Sequence, residues 1–319
     1  MGKNVAGIVS VNISSASRSD ATIGVTFSES SLFAGANSSD ASVGDYFDNP
    51  IRFTVDQAPA TYTAKAQQTR GAFRYLTLSS YDAGVLAISD LTVKFDADPG
   101  RTPCDYSGSF LSNDDLLNRI WYAGAYTVQL CTIRANAGNS LVSLAPLYGL
   151  GFPAPGEWFN NYTITNGSAA MVDGGKRDRL VWPGDFVVSV PTAFVSTNNL
   201  EPVKNSLQSL LDLQDSSTGL LPYAGAPFNR LGPLLPGGDV SFTYNMHTLI
   251  AVYDYYLFTG DLDWIQNRWK AFKAGLEFCL VHIDDTGLLN VTTTTDWLRV
   301  GMGGHVSVST SQTPMGIAS

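Results

Sequence analysis

The chain has 319 residues, of which 44% are hydrophobic and 15% charged, and its 28 acidic against 19 basic side chains give a formal net charge of −9. That length exceeds what one hydrophobic core usually fills, so two domains are expected; the acidic balance, with no basic run, argues against a nucleic-acid or anionic-membrane partner. No apolar stretch approaches the roughly twenty residues that cross a bilayer, and Met1-Gly-Lys-Asn-Val5 lacks the apolar core of a signal peptide.

Residues 1–98 read as strands and turns. Val5 to Ile13, Ala21 to Phe27, Phe73 to Leu78 and Leu91 to Phe95 are rich in β-branched and aromatic residues and are separated by Ser/Asn/Asp/Gly clusters. The pattern is that of a β-sandwich, whose simplest role is to brace a neighbouring domain. Asp98-Pro-Gly-Arg-Thr-Pro103 punctuates the chain, and helical periodicity takes over from residue 104.

The first helix is expected from Ser112 to Tyr126, with an acidic first turn and an apolar face of Leu116, Leu117, Ile120, Trp121 and Ala123 or Gly124. A second opens at Trp182-Pro-Gly-Asp185 and runs to Phe194, with Pro191 expected to kink or break it. Further helices are expected at Glu201 to Leu213, Val240 to Phe258 and Leu262 to His282, the last two separated by Gly260-Asp261. Between them lie Gly-, Pro-, Asn- and Tyr-rich stretches, 144–172 and 218–238. Helices alternating with such loops suit an (α/α) toroid of stacked hairpins, whose loops at one end make a substrate cleft. The last segment, 306–319, is low in complexity, lacks core-forming periodicity and reads as a disordered tail.

Five Asn-x-Ser/Thr sequons, at Asn12, Asn37, Asn161, Asn166 and Asn290, point to a secreted glycoprotein. Cys104, Cys131 and Cys279 are compatible with one disulfide and a free thiol. Neither they nor the three isolated histidines have metal-ligand spacing, so no metal or cofactor is expected.

The densest chemistry lies in Asp173-Gly-Gly-Lys-Arg177-Asp178-Arg179-Leu-Val-Trp182-Pro-Gly-Asp185, where three carboxylates, two guanidinium groups and a tryptophan share thirteen residues. Carboxylates beside arginines suit acid/base chemistry, and a tryptophan face suits a sugar ring. The competing reading is a structural ion-pair cluster at the start of a helix.

The segment resembles the active-site signature of the α-L-rhamnosidases of glycoside hydrolase family 78, approximately Asp-x-x-x-Arg-Asp-Glu-Arg-x-x-Trp-x-Gly-Asp. Asp173, Arg177, Asp178, Arg179, Trp182, Gly184 and Asp185 match it. The family's glutamate general acid is missing, and Asp178, one position away and one methylene shorter, is the carboxylate left for that role. The resemblance implies a β-sandwich over 1–98 followed by an (α/α)6 six-hairpin glycosidase domain over 104–305. Six hairpins need twelve helices, and only five or six can be read, so the toroid is expected to be incomplete in this chain.

The implied reaction is inverting hydrolysis of terminal α-L-rhamnosyl residues, with Asp178 as the acid. The family's general base is a glutamate on a later loop, and no glutamate follows Asp296. Asp173, Arg177, Trp182, Asp185, Asp296 and Trp297 are the expected substrate-binding residues, and the expected partner is a carbohydrate or glycoside. Asp296 and Trp297 read equally well as a hairpin aspartate and a packed tryptophan. Glu157-Trp158, His247 and His305 are weaker candidates. Two alternatives stay open: a non-catalytic carbohydrate-binding remnant, and a different toroid enzyme such as a lyase or a glucoamylase-like hydrolase.

Overall fold

A computed structural model describes residues 1–39, 48–102, 104–139, 160–176, 179–226 and 240–291. The chain forms two compact units, one of Met1–Pro103, Gln129–Thr163 and Gly174–Arg179, the other of Cys104–Val128, Ile164–Asp173 and Leu180–Ser319.

In the first unit, strands β1 (Val5–Ala16), β2 (Ala21–Ser28), β3 (Ile51–Val55), β4 (Ala60–Thr63), β5 (Arg70–Phe73), β6 (Tyr75–Ser80) and β7 (Leu86–Phe95) build two antiparallel sheets. Strand β1 is central to one, flanked by β7 on one side and by β4 and β5 in succession on the other; the second has the order β3-β2-β6. Alternation decides which side is buried. Val9, Val11 and Ile13 of β1, Ile23, Val25 and Phe27 of β2, and Ile51, Phe53 and Val55 of β3 share one core. Each such side chain contributes roughly 1.5–3 kcal/mol when fully buried. On the opposite side of β1, Ser10 and Thr63 hydroxyls bond at 2.8 Å, and the Thr61 hydroxyl donates to Asn12.

The single strand expected from Phe73 to Leu78 is two. Strand β5 pairs with β1 and β6 with β2, so the chain changes sheets at Arg74. Ala72, at φ 48°, turns the backbone, and the Arg74 N–H bonds the Ser28 carbonyl at 2.9 Å. In the same core, Arg70 pairs with Asp48 at 2.8 Å, their side chains 5% and 7% exposed, and its guanidinium lies 5.5 Å from the centre of the Phe27 ring. Burial lowers the Arg70 pKa, and Asp48 acts against that shift.

This unit also contains β8 (Thr132–Arg134) and a small antiparallel ribbon of β9 (Gly138–Asn139) and β10 (Asn160–Tyr162). The buried Asn160 amide donates to the Thr69 carbonyl and so ties the ribbon to the 66–69 turn.

The helical unit contains α1 (Asp115–Leu130, its last turn reaching the first unit's residues), β11 (Ala169–Met171), α2 (Phe186–Val195), α3 (Glu201–Asp212), α4 (Phe242–Thr259) and α5 (Leu262–Leu280). Asp114 rather than Ser112 caps α1, accepting the Leu116 N–H at 2.8 Å. The face of α1 expected to be buried is not: Leu116, Leu117 and Ile120 are 61%, 49% and 57% exposed. Burial on α1 begins only at Ala125, while Trp121 stacks on Phe110 at 6.4 Å. Helix α2 runs through Pro191 to Val195, so the expected break is absent. The missing N–H would have bonded the carbonyl of Val187, which lies on the exposed side.

The two longest helices are joined by a stop and a start. Gly260 takes the left-handed conformation at φ 66° and ends α4, a geometry that favours glycine. Asp261 then caps α5 by accepting the Trp264 N–H at 3.1 Å, and the same carboxylate takes Lys204 at 2.8 Å and the Tyr255 hydroxyl at 3.0 Å. Asn245, fully buried on α4, accepts the Leu221 N–H at 2.9 Å and donates to the Gly275 carbonyl at 2.9 Å and the Cys279 sulfur at 3.1 Å. One side chain thus joins the 221 loop, α4 and α5. The expected disulfide is not formed: Cys104, Cys131 and Cys279 are all free thiols, the first exposed and the others buried.

Candidate active site

The motif loop is pinned at its base. Asp173 Oδ1 accepts the Leu180 N–H at 3.1 Å, and the Asp173 N–H donates to the Leu180 carbonyl at 3.2 Å. A doubly bonded pair of this kind closes the intervening residues into a loop whose ends are fixed. Inside it, Arg179 adopts φ 47°, is fully buried, and donates from Nη1 to the Gly175 carbonyl at 2.9 Å. Arg179 therefore has a structural task, bracing the loop from within. Arg177 and Asp178, the expected substrate contact and general acid, lie outside the described residues, as do Asp296 and Trp297. Glu157, Trp158 and His305 do too.

Beyond the loop, Val181 is held by a 2.7 Å bond from the Gly225 N–H to its carbonyl. Trp182 follows, half-buried in extended conformation, and leads into a 3-10 turn, Pro183–Asp185, that opens α2. The indole meets Tyr223 edge-on at 5.5 Å and Tyr244 at 6.2 Å, and the two tyrosines lie 4.9 Å apart. Gly184 permits this packing, because a Cβ there would sit 2.7 Å from Tyr244 Cε1. Asp185 is exposed, and its carbonyl accepts the Ser189 hydroxyl at 3.0 Å.

Three of the expected site residues are thus described. Asp173 pins the loop, Trp182 belongs to an aromatic cluster, and Asp185 faces solvent at the head of α2. Tyr223 and Tyr244 were not singled out in sequence. Nothing local marks them: they reach Trp182 only through folding, from a loop about forty residues downstream and from α4. His247 stands one turn along α4 from Tyr244, half-buried, and its Nδ1 has no hydrogen-bond partner among the described residues. Burial lowers its pKa, so the imidazole is neutral at neutral pH. Among the described residues no group of acidic, histidine or cysteine side chains could hold a metal ion.

Comparisons with known proteins converge on one family. Residues 160–315 match the model of the bacterial α-L-rhamnosidase six-hairpin glycosidase domain. No curated protein matches the sequence. Among solved structures, the chain superposes on the family 78 rhamnosidase of Bacillus sp. GL1 with a TM-score of 0.62 at 19% identity, covering 91% of this chain and 24% of that one. The rhamnosidase from Klebsiella oxytoca, solved with rhamnose bound, gives 0.63 at 16% identity, with 91% and 49% covered. The α-L-rhamnosidase from Dictyoglumus thermophilum gives 0.57 at 15% identity, with 89% and 26% covered. The chain therefore spans between about a quarter and a half of the length of these proteins while sharing their fold over most of its own. Over residues 160–315 the chain is thus similar to the bacterial α-L-rhamnosidase six-hairpin glycosidase domain, and over most of its length its fold resembles that of family 78 rhamnosidases: it is α-L-rhamnosidase-like.

Proposed function

We propose that this chain carries the acid side of an inverting α-L-rhamnosidase site, with Asp178 protonating the leaving glycosidic oxygen. The observation that carries the proposal is the 173–185 segment: Asp173 and Leu180, which flank Arg177 and Asp178 in sequence, bond to each other, and Trp182 follows half-buried. A fixed loop matters because general-acid catalysis depends on holding the donor within hydrogen-bond reach of the leaving oxygen. Binding Arg179 to the Gly175 carbonyl commits one of the two flanking guanidinium groups to the backbone. Asp178 must nonetheless be raised above the ordinary carboxylate pKa by burial or by another carboxylate, since flanking cations act the other way. Asp173, Arg177, Trp182 and Asp185, with Asp296 and Trp297, would hold the sugar.

The architecture in this reading is a β-sandwich over 1–98, the two sheets that share one core, and an (α/α)6 toroid over 104–305. The rows of exposed apolar residues on α1 and α2, among them Leu116, Ile120, Val187 and Val188, are surfaces that neighbouring hairpins of a toroid would cover. Export of the protein is part of the same reading, supported by the exposure of four of the five sequon asparagines, Asn37, Asn161, Asn166 and Asn290.

A second reading, sugar binding without turnover, is favoured by one fact: Trp182, Tyr223 and Tyr244 form an aromatic cluster on which a sugar ring could stack without any acid or base. Hydrolysis of an aryl α-L-rhamnoside separates the two. Turnover that falls by about 10²–10⁴-fold in Asp178→Asn, with the circular-dichroism spectrum unchanged, supports the acid assignment. Release of the inverted anomer, read by proton NMR in the first minutes, supports the mechanism. Binding of rhamnose with no turnover in the unaltered chain would replace this reading with the second.

A further inference from the structure

The first unit holds a cleft that none of the described rhamnosidase motif residues line. It has a volume of about 530 Å³ and lies against the outer side of the β1/β7 pair, bounded by the 66–69 turn, the 134–137 turn and the β10 strand. A volume of this size falls within the roughly 300–1,000 Å³ of small-molecule sites.

Its charge is set by β7. Leu91 and Val93 pack on the core, so Lys94 and Asp96 share the outward side, about 7 Å apart along the strand. Asp96 accepts Arg134 Nε at 2.9 Å and Nη2 at 2.8 Å on the same oxygen, which fixes the guanidinium at the cleft wall. One carboxylate oxygen occupies two of the guanidinium's donors and leaves the others unbonded among the described residues. The Lys94 ammonium has no hydrogen bond or ion pair among the described residues. Among the described lining residues two cations therefore meet one carboxylate, an excess of one positive charge in a protein whose net charge is −9. Around them, Gln67 and Asn136 present amides, each both donor and acceptor, the complement that hydroxyl groups require.

We infer that this cleft binds a singly charged, hydroxylated carboxylate, that is, an acidic sugar, with its carboxylate between Lys94 and Arg134 and its hydroxyls on the amides. A phosphate ester suits it less well. A near-dianion would need more than one excess positive charge, and among the described lining residues the only helix start is that of the three-residue 3-10 turn at Ala66–Gln68. The inference does not depend on the hydrolytic reading, because the described residues of the motif segment contribute nothing to the cleft.

The test uses the whole chain made in a host that does not N-glycosylate, which leaves the Asn161-Tyr-Thr163 sequon unmodified. D-Galacturonate, its methyl ester and L-rhamnose are titrated by NMR, and aryl-rhamnoside hydrolysis is followed in the same samples. Galacturonate is expected to bind at least tenfold more tightly than the ester. Lys94→Glu should lose that binding at least tenfold, and Lys94→Arg should keep it, with melting temperature and hydrolysis unchanged in both. Equal affinity for acid and ester, acid binding that survives Lys94→Glu, or no binding of the acid would each overturn the inference. Loss of hydrolysis with acid binding intact would count against the rhamnosidase reading alone.

Discussion

The β-sheet unit and the helical unit treat their apolar residues differently. In the sheets, every second residue of β1, β2 and β3 turns inward and is covered by the facing sheet, so period-two alternation translates directly into a closed core. In the helical unit α3 buries its apolar side, with Val203, Leu207 and Leu210 covered, whereas α1 and α2 leave Leu116, Leu117, Ile120, Val187 and Val188 in solvent. Periodicity identifies the face a helix would bury; whether it is buried depends on a neighbour of suitable shape, which periodicity does not supply. A strand's hydrogen bonds already demand neighbours, and a helix satisfies its own.

Polar anchors sharpen the contrast, because each unit has one that can be broken. The largest effect is expected in the sheets. Asp48→Ala leaves Arg70 as an uncompensated buried charge and should cost about 3–5 kcal/mol, read as a lower urea midpoint. Replacing both partners together, Asp48→Leu with Arg70→Met, should restore most of it; if it does not, the pair contributes more than mutual neutralisation. In the helical unit, Asn245→Ala removes the partner of the Leu221 N–H and of the Gly275 carbonyl and should cost about 1–3 kcal/mol. An unchanged midpoint would mean that α4 and α5 are held by apolar contact alone.

The smallest effect concerns His247. Its pKa is depressed by burial, so in the neutral range the imidazole is uncharged folded and unfolded alike. As pH falls through about 6.5, the unfolded chain takes up the proton first, and stability is lost progressively until the folded pKa is passed. The melting temperature should therefore decline between neutral and mildly acidic pH, and His247→Gln should flatten that decline. A slope identical in the variant would assign the titration to another group.

Much of this was legible in the sequence because local rules carried it. β-Branched and aromatic residues between turn-forming clusters located β1, β2 and β7; Gly260-Asp261 marked the stop and start between α4 and α5; and the helix ends fall within a few residues of their caps. The failures share a cause, a dependence on partners distant in the chain. Phe73 to Leu78 read as one strand because nothing local reveals that β1 takes Phe73 and β2 takes Tyr75 onward. Strands β3 and β4 are short and were not singled out. The three cysteines allowed a disulfide on paper, but folding leaves each thiol free. At the candidate site, the motif was visible because its residues are contiguous. Tyr223, Tyr244 and Asn245 were not, since their meaning arises only when a loop and a helix are brought to Trp182 and Gly275.

The order in which the chain visits its two units bears on how it can be cut. Gln129–Thr163 and Gly174–Arg179 return to the sheet unit after the first helical stretch, so the polypeptide passes from one unit to the other several times. A gene fragment ending at Pro103 would encode all seven strands of the two sheets and still lack Arg134, Asn136 and Asn161, three of the walls of the acidic-sugar cleft. Recombination that shuffled the sheets as a self-contained cassette would leave that cleft behind, and only a breakpoint beyond Thr163 would carry its described lining along entire.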